Sequence, residues 1–267
     1  MLRVGGTLVA LTLLAAVIGP QLTPYDPARQ ELALRLAAPT ISHPFGLDEL
    51  GRDILARVLA GARISFLVGV TVVLISTAVG TLLGAVAGYF GGPADDVISR
   101  LIDTLLAFPG LLLAIAIVAV LGPSLINVLV ALTLIGWVGY ARLVRGQVLR
   151  SREFEYVQAA RAVGANSAHI LWRHVIPTAI PALVVQATLG MAGAVIGEAS
   201  LSFLGLGVQP PTPSWGTMLN GGRAHILDAP HLTIFPGIAI VLLVIGFNFL
   251  GDGLRDRLDP RQSQGRS

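Results

Sequence analysis

Ile64 to Phe90 runs for the length of a membrane crossing without a single charged side chain, and no other feature constrains the fold of this chain more. About 20 apolar residues carry an α-helix across roughly 30 Å of hydrocarbon. Lipid accepts only structures that satisfy their own backbone hydrogen bonds, so a helix is the expected form. The glycines at 69, 80, 84 and 88 mark a face that would let a second helix approach closely.

Further runs of the same kind follow along the chain. Val4 to Gly19 stands behind Arg3 and lacks a small-residue cleavage site, since Gly19-Pro20-Gln21 follows it, so it reads as a retained first span. Asp103 to Arg142 encloses an uncharged stretch too long for one crossing, and Leu121-Gly122-Pro123-Ser124 divides it into a third and a fourth span. Thr178 to Leu204, interrupted by Glu198, is the fifth, and Leu232 to Leu250, with Asn248 near its end, is the sixth. Charged residues make up 12% of the chain and hydrophobic ones 54%, against roughly a quarter charged in soluble domains, so lipid is the expected solvent. The expected fold class is all-α: a polytopic membrane bundle of about six spans, with residues 1–20 as the first, 21–62 as an outer loop and 63–267 as a core of five spans.

Sidedness follows from arginines in short loops, because such loops stay on the cytoplasmic side. Arg142, Arg145, Arg150, Arg152, Arg161 and Arg173 lie between spans four and five, and Arg255, Arg257, Arg261 and Arg266 follow span six. Both regions and the N-terminus are therefore expected in the cytoplasm. The outer stretch from Pro20 to Arg63 carries five arginines against five carboxylates, which weakens the asymmetry without reversing it, and the inner loop from Gly91 to Arg100 adds no support.

Several chemistries are excluded by residues the chain lacks. It has no cysteine, hence no disulfide framework and no thiolate site. All 18 Lys+Arg positions are arginine, so there is no phosphate-binding loop ending in Gly-Lys-Ser/Thr, and nucleotide must be handled elsewhere. There is no His-Glu-x-x-His and no intramembrane aspartate pair for a membrane protease. The net charge of +3 comes from arginines beside apolar spans and gives no reason to expect nucleic acid.

The stretch from Glu153 to Pro177 reads as helix, turn, helix on the inner side. Glu153 and Glu155 suit a helix start, Gly164 a left-handed stop and Asn166 or Ser167 the next cap, while Pro177 closes the second helix or opens span five. Gln158-Ala159-Ala160, Gly164 and His174-Val175-Ile176-Pro177 keep the spacing of the EAA loop of binding-protein-dependent ABC importer permeases, which this segment resembles. Gln158 stands where that pattern has glutamate, keeping length and an acceptor but losing the charge, and His174 inside Arg-His-Val-Ile-Pro is similar to the peptide-importer branch. The resemblance to the second permease of dipeptide, oligopeptide and nickel importers extends from about Gly19 to Arg261. It is carried by His43-Pro-Phe-Gly-Leu-Asp-Glu-Leu-Gly-Arg-Asp53, Gly61-Ala-Arg-Ile-Ser65, Gly88-Tyr-Phe-Gly-Gly92, Ala107-Phe-Pro109, Gly139 to Gln147, Glu198 to Gly207, Pro213-Ser-Trp-Gly216 and Phe247 to Asp256.

That resemblance implies the type I ABC importer permease fold and a non-catalytic subunit in the bacterial plasma membrane. Its implied partners are a second homologous permease, two cytoplasmic ATPases that bind ATP and Mg, and an external substrate-binding protein. Tyr156, Gln158, Ala159, Ala160, Arg161 and Gly164 would form the coupling helix seated on an ATPase within the loop 150–177, with Pro177 at its end. The outer loop would either reach toward the binding protein or cover the mouth of the bundle. Peptides are the implied substrate, with nickel or another small solute as the alternative; a secondary transporter is the more distant rival and would need coupling charges at the midplane.

Glu198 and Trp215 are the candidates for the pore or substrate path. An ionisable group inside an apolar run faces a cavity, a partner or the bundle interior. Glu198 could meet a peptide amino terminus or a cation, pair with Arg223, or cap a neighbouring helix, the last two being the plainer readings. Asp103, Gln186, Asn127 and Asn248 read as interhelical hydrogen-bonding groups. His169 and His174, five apart, have poor spacing for one helix face, and no metal site is expected from the five histidines.

Overall fold

The structure, a computed structural model, describes residues 1–258. Arg261 and Arg266, counted above among the cytoplasmic charges, lie outside the described residues. Single helices long and apolar enough to cross a membrane are α1 (Leu2–Leu22), α2 (Ile54–Phe90), α5 (Leu125–Ser151), α8 (Ile176–Phe203) and α10 (His231–Leu258). A further pair, α3 (Gly92–Leu106) and α4 (Gly110–Leu121), qualifies only when taken together and is bent by 88°. Among the described residues the only strand-like pairing is an isolated bridge between Leu47 and Asp53.

The order of contacts along α2 and α5 settles the role of the bent pair. Gly80 lies against Trp137 and Tyr140, Gly84 against Ala141, and Gly88 against Arg145 and Val148, so the two helices run parallel with their backbones touching. The chain between them must return to its starting side. Asp95 meets Arg145, Ile102 packs with Trp137 and Val138, Gly110 faces Ile135, and Ala114 and Val118 pack with Val128 and Ala131. The pair therefore retraces α5 from end to start and is a broken sixth span.

Three features differ from the sequence reading. The stretch expected as an inner loop from Gly91 to Arg100 is mostly α3: Gly91 and Gly92, with φ of 66° and 56°, turn the corner, and Pro93 and Asp95 in the first turn start a helix. The third span is not one helix, because Pro109 lacks an N–H and forces Phe108 away from helical dihedrals. The second span begins at Ile54 and not at Ile64, so Arg57 and Arg63 belong to it. Asp53 caps it by accepting from the Ala56 N–H at 2.7 Å. Arg63 donates to the carbonyls of Ala16 and Val17 at 2.7 and 3.0 Å, and Ala16 is the residue whose carbonyl Pro20 cannot serve.

On the same end, His43 to Asp53 folds into a compact knot. Asp48 accepts from the Leu50 and Arg52 N–H groups at 2.9 Å and from Arg52 Nε at 2.7 Å, while Arg57 Nε stands 3.5 Å away. Arg57 also donates to the Pro27 carbonyl, His43 pairs with Asp53 at 2.8 Å, and Phe45 stacks on Phe235 of α10 at 3.9 Å. The outer loop thus ties together the starts of α2 and α10. At the opposite end α1 and α10 run antiparallel, with Gly253 against Leu2 and Gly246 against Leu8 and Val9. The N-terminus, Arg255 and Arg257 consequently share the end that carries the Arg142–Arg173 segment, which marks it as cytoplasmic.

Candidate functional site

Between α5 and α8 the chain forms a hairpin of α6 (Glu155–Ala162) and α7 (Ser167–Ile170), followed by a π turn over Leu171–Val175 that leads into α8. Glu155 in the first turn and Arg161 in the last complement the dipole of α6. Gly164 stops it at φ +83°: its N–H donates to Arg161 O, and the Ala165 N–H reaches back to Ala160 O at 3.1 Å. That pair of bonds is the Schellman closure, which requires a left-handed residue at this position. Asn166 then caps α7 by accepting from the Ala168 N–H at 2.9 Å.

The expected coupling residues divide between two faces. Gln158 and Ala159, with Glu155 and Ala162, form the exposed outer face of α6, and Gln158 Nε2 donates to Arg152 O at 3.2 Å. Ala160 is half-buried and Arg161, although exposed, lays its guanidinium over Tyr89 of α2 at 5.1 Å. Tyr156 donates to His174 O at 3.4 Å and so bridges the two arms of the hairpin. Pro177 sits exposed in the first turn of α8, where a missing N–H costs nothing.

What holds the hairpin down is Val157, fully buried with Ile170, Leu171 and Val175 against Tyr89, Val144 and Val148. A lone apolar residue in a polar run gave little signal of this. Ser151 Oγ and Thr178 Oγ1, 2.7 Å apart, fasten the end of α5 to the start of α8. The π turn also draws the His169 and His174 rings to 5.8 Å, correcting the expectation from α-helical spacing, because a π turn brings residues five apart onto one face.

The two helices that leave the hairpin wall a half-open cavity of about 380 Å3 on the bundle. Gln186, Gly193 and Ser200 of α8, Tyr140 of α5 and Ser76 of α2 supply its polar and open surfaces, and Gly110 and Leu111 at the break of the bent span close one side. Its size falls in the range of about 300–1,000 Å3 typical of ligand sites. No charged side chain lines it.

Glu198 and Trp215 stand elsewhere. Glu198 is fully buried on α8, accepts from Ser202 Oγ at 2.6 Å and lies beside Ser214, the cap of α9 (Trp215–Gly222). Among the described ion pairs it has no link to Arg223. Trp215 is 1% exposed and donates from its indole to Val58 O at 2.9 Å, with Gly61 beneath the ring, so it braces α9 against α2 and does not face the cavity. Of the groups read as interhelical bonds, Gln186 lines the cavity, and Asn127 closes the α4–α5 turn onto Leu121 O and Gly122 O.

Comparison with known proteins places this geometry. Residues 80–264 match the family model described as binding-protein-dependent transport system inner membrane component. The dipeptide transport system permease protein DppC of Alkalihalophilus pseudofirmus is 46% identical over 97% of this chain and 85% of its own length. The glutathione transport system permease protein GsiD of Pectobacterium atrosepticum is 47% identical over 96% and 85%. The probable D,D-dipeptide transport system permease protein DdpC of Escherichia coli is 43% identical over 95% and 85%. Among solved structures, a chain of the MetNI methionine ABC transporter in an inward-facing conformation superposes with a TM-score of 0.53 at 22% identity, covering 76% of this chain and 93% of that one.

Proposed function

The chain belongs to the family of binding-protein-dependent transport system inner membrane components, and from that premise we propose that it is one of two membrane subunits of an importer carrying short peptides across the bacterial inner membrane. The single observation that carries the proposal is mechanical. A hairpin with an exposed face of Glu155, Gln158, Ala159 and Ala162 on its outer side continues directly into the two helices that wall the cavity. A partner gripping that face moves both walls at once.

On this reading the grip belongs to a cytoplasmic ATPase, which binds ATP and Mg, and the α6 face fits its groove because small side chains let a helix lie deep. Hydrolysis biases a two-state bundle through contacts that differ between the states. A second permease completes the path, and an external binding protein delivers substrate to the end marked by the His43–Asp53 knot. Peptides are favoured over nickel because the relatives named above carry dipeptides, D,D-dipeptides and glutathione, itself a tripeptide.

The test is import into liposomes holding this chain, its partner permease and the ATPases, with binding protein on the side of delivery. Labelled alanyl-alanine and glutathione serve as probes. Accumulation of either one that needs ATP, the ATPases and the binding protein is expected. Accumulation driven by an ion gradient without ATPases would identify a secondary transporter instead.

A further inference from the structure

The Gly88-Tyr-Phe-Gly-Gly92 segment ends α2 and turns the chain into α3, and docking of the hairpin on an ATPase does not account for it. Three arginines from α5 and α6 hold this corner. Arg152, at the end of α5, donates Nη1 to Gly88 O at 3.0 Å, one of the last-turn carbonyls of α2 where the helix dipole favours a cation. Arg161 of α6 lies over the Tyr89 ring, and Tyr89 is itself packed beside the anchor Val157. Beyond the corner Arg145 grips Asp95 of α3 with both Nε and Nη2, at 2.5 and 2.7 Å, while Ser99 adds a bond to the same carboxylate.

We propose that Arg145, Arg152 and Arg161 make the α2–α3 corner a second lever, through which movement of α6 also displaces the broken span. The proposal rests on the reading that α6 docks on an ATPase. It follows from continuity: α3 leads through the break at Pro109 to Gly110 and Leu111, which line the cavity on the side that neither α5 nor α8 supplies. Pulling on α6 through α5 and α8 alone would move those two walls against an α4 side that stays fixed. The corner contacts make the α4 side move with them, and the 88° break is the joint that lets α4 swing without tearing α3 from α5. Arg152 and Arg161 are positioning residues here, since neither lies on the cavity.

The test uses the complete importer in liposomes and reads ATP hydrolysis and peptide uptake together, with alanyl-alanine and glutathione as probes. Arg161→Ala and Tyr89→Leu each remove the cation–ring contact, and Arg161 is exposed, so its loss leaves the fold intact. Each variant is expected to hydrolyse ATP within about twofold of the parent while uptake falls about tenfold, inside the 5–150-fold span of ordinary allosteric couplings. The double variant should be no worse than either single one, because both remove one interaction. Arg161→Lys, which keeps a cation over the ring, should recover most of the uptake. Unchanged uptake, additive losses, or hydrolysis and uptake falling in parallel would overturn the lever. Loss of ATPase binding in Arg161→Ala would also overturn it, making Arg161 a docking residue, and would leave the α6 docking itself upheld.

Discussion

Replacing Gly164 with valine will cut peptide uptake by about tenfold or more while leaving the subunit inserted in the membrane. Gly164 adopts φ +83°, and nothing stands within 4 Å of the position a Cβ would occupy, so crowding is not the issue. The cost is backbone strain alone, about 1–3 kcal/mol for a non-glycine residue held in this region, and larger for a β-branched one. The chain escapes that strain by giving up the bonds from Gly164 N–H to Arg161 O and from Ala165 N–H to Ala160 O, which lets α6 run on and turn. Gln158 and Ala159 then present a rotated face to the ATPase. One tenfold step corresponds to about 1.4 kcal/mol, so the strain suffices. Gly164→Asn, which tolerates the left-handed region, should transport nearly normally. Uptake assays beside membrane levels of the subunit check this, and parental uptake in the valine variant would count against a defined hairpin geometry.

The largest loss of stability is expected at the outer end, from Asp48→Ala. Asp48 is the anion shared by Arg52 and Arg57, both nearly buried, and it also accepts two backbone N–H groups. Its removal leaves the two arginines facing each other without the carboxylate they share, with Glu49 the charge that remains beside them. Breaking a buried ion pair from one side costs about 3–5 kcal/mol, which for a chain of this size lowers the melting temperature by roughly 10 °C. Asp48→Asn keeps the shape and one acceptor and should fall between. Thermal unfolding of the detergent-purified complex measures both. A melting temperature equal to the parent's would show that Glu49, Pro27 O and solvent are enough to hold Arg57, and that the knot is ornament on the bundle.

These two sites also mark how much of the molecule could be read in advance. The apolar runs were legible because the penalty for charge in lipid leaves few ways to write a span, and Gly164 was legible because a left-handed stop accepts few residues. The start of α2 was not, since Arg57 and Arg63 look like loop charges until Asp48 and the free carbonyls of α1 are seen beside them. The break at Pro109 was hidden by an uncharged run that is continuous in composition but not in backbone direction. Trp215 read as a residue of the pore or substrate path and is a brace, a difference fixed by its bond to Val58 O far away in sequence. The cavity had no signature at all, because four helices contribute scattered glycines, aliphatic residues, a glutamine, a tyrosine and serines that are ordinary packing residues in any one of them.

The chain has no cysteine, so a thiol introduced at Ala159 is the sole reporter of where α6 lies. In the assembled importer, Ala159→Cys should be labelled by a membrane-impermeant maleimide only from the cytoplasmic side. It should form a cross-link to the ATPase subunit with a short bifunctional reagent, and lose the maleimide reaction when the ATPase is locked in place with nucleotide before labelling. A thiol at this position that reacts from the outside, or that stays freely reactive and uncross-linked in the intact complex, would contradict a cavity worked from below by a docked helix.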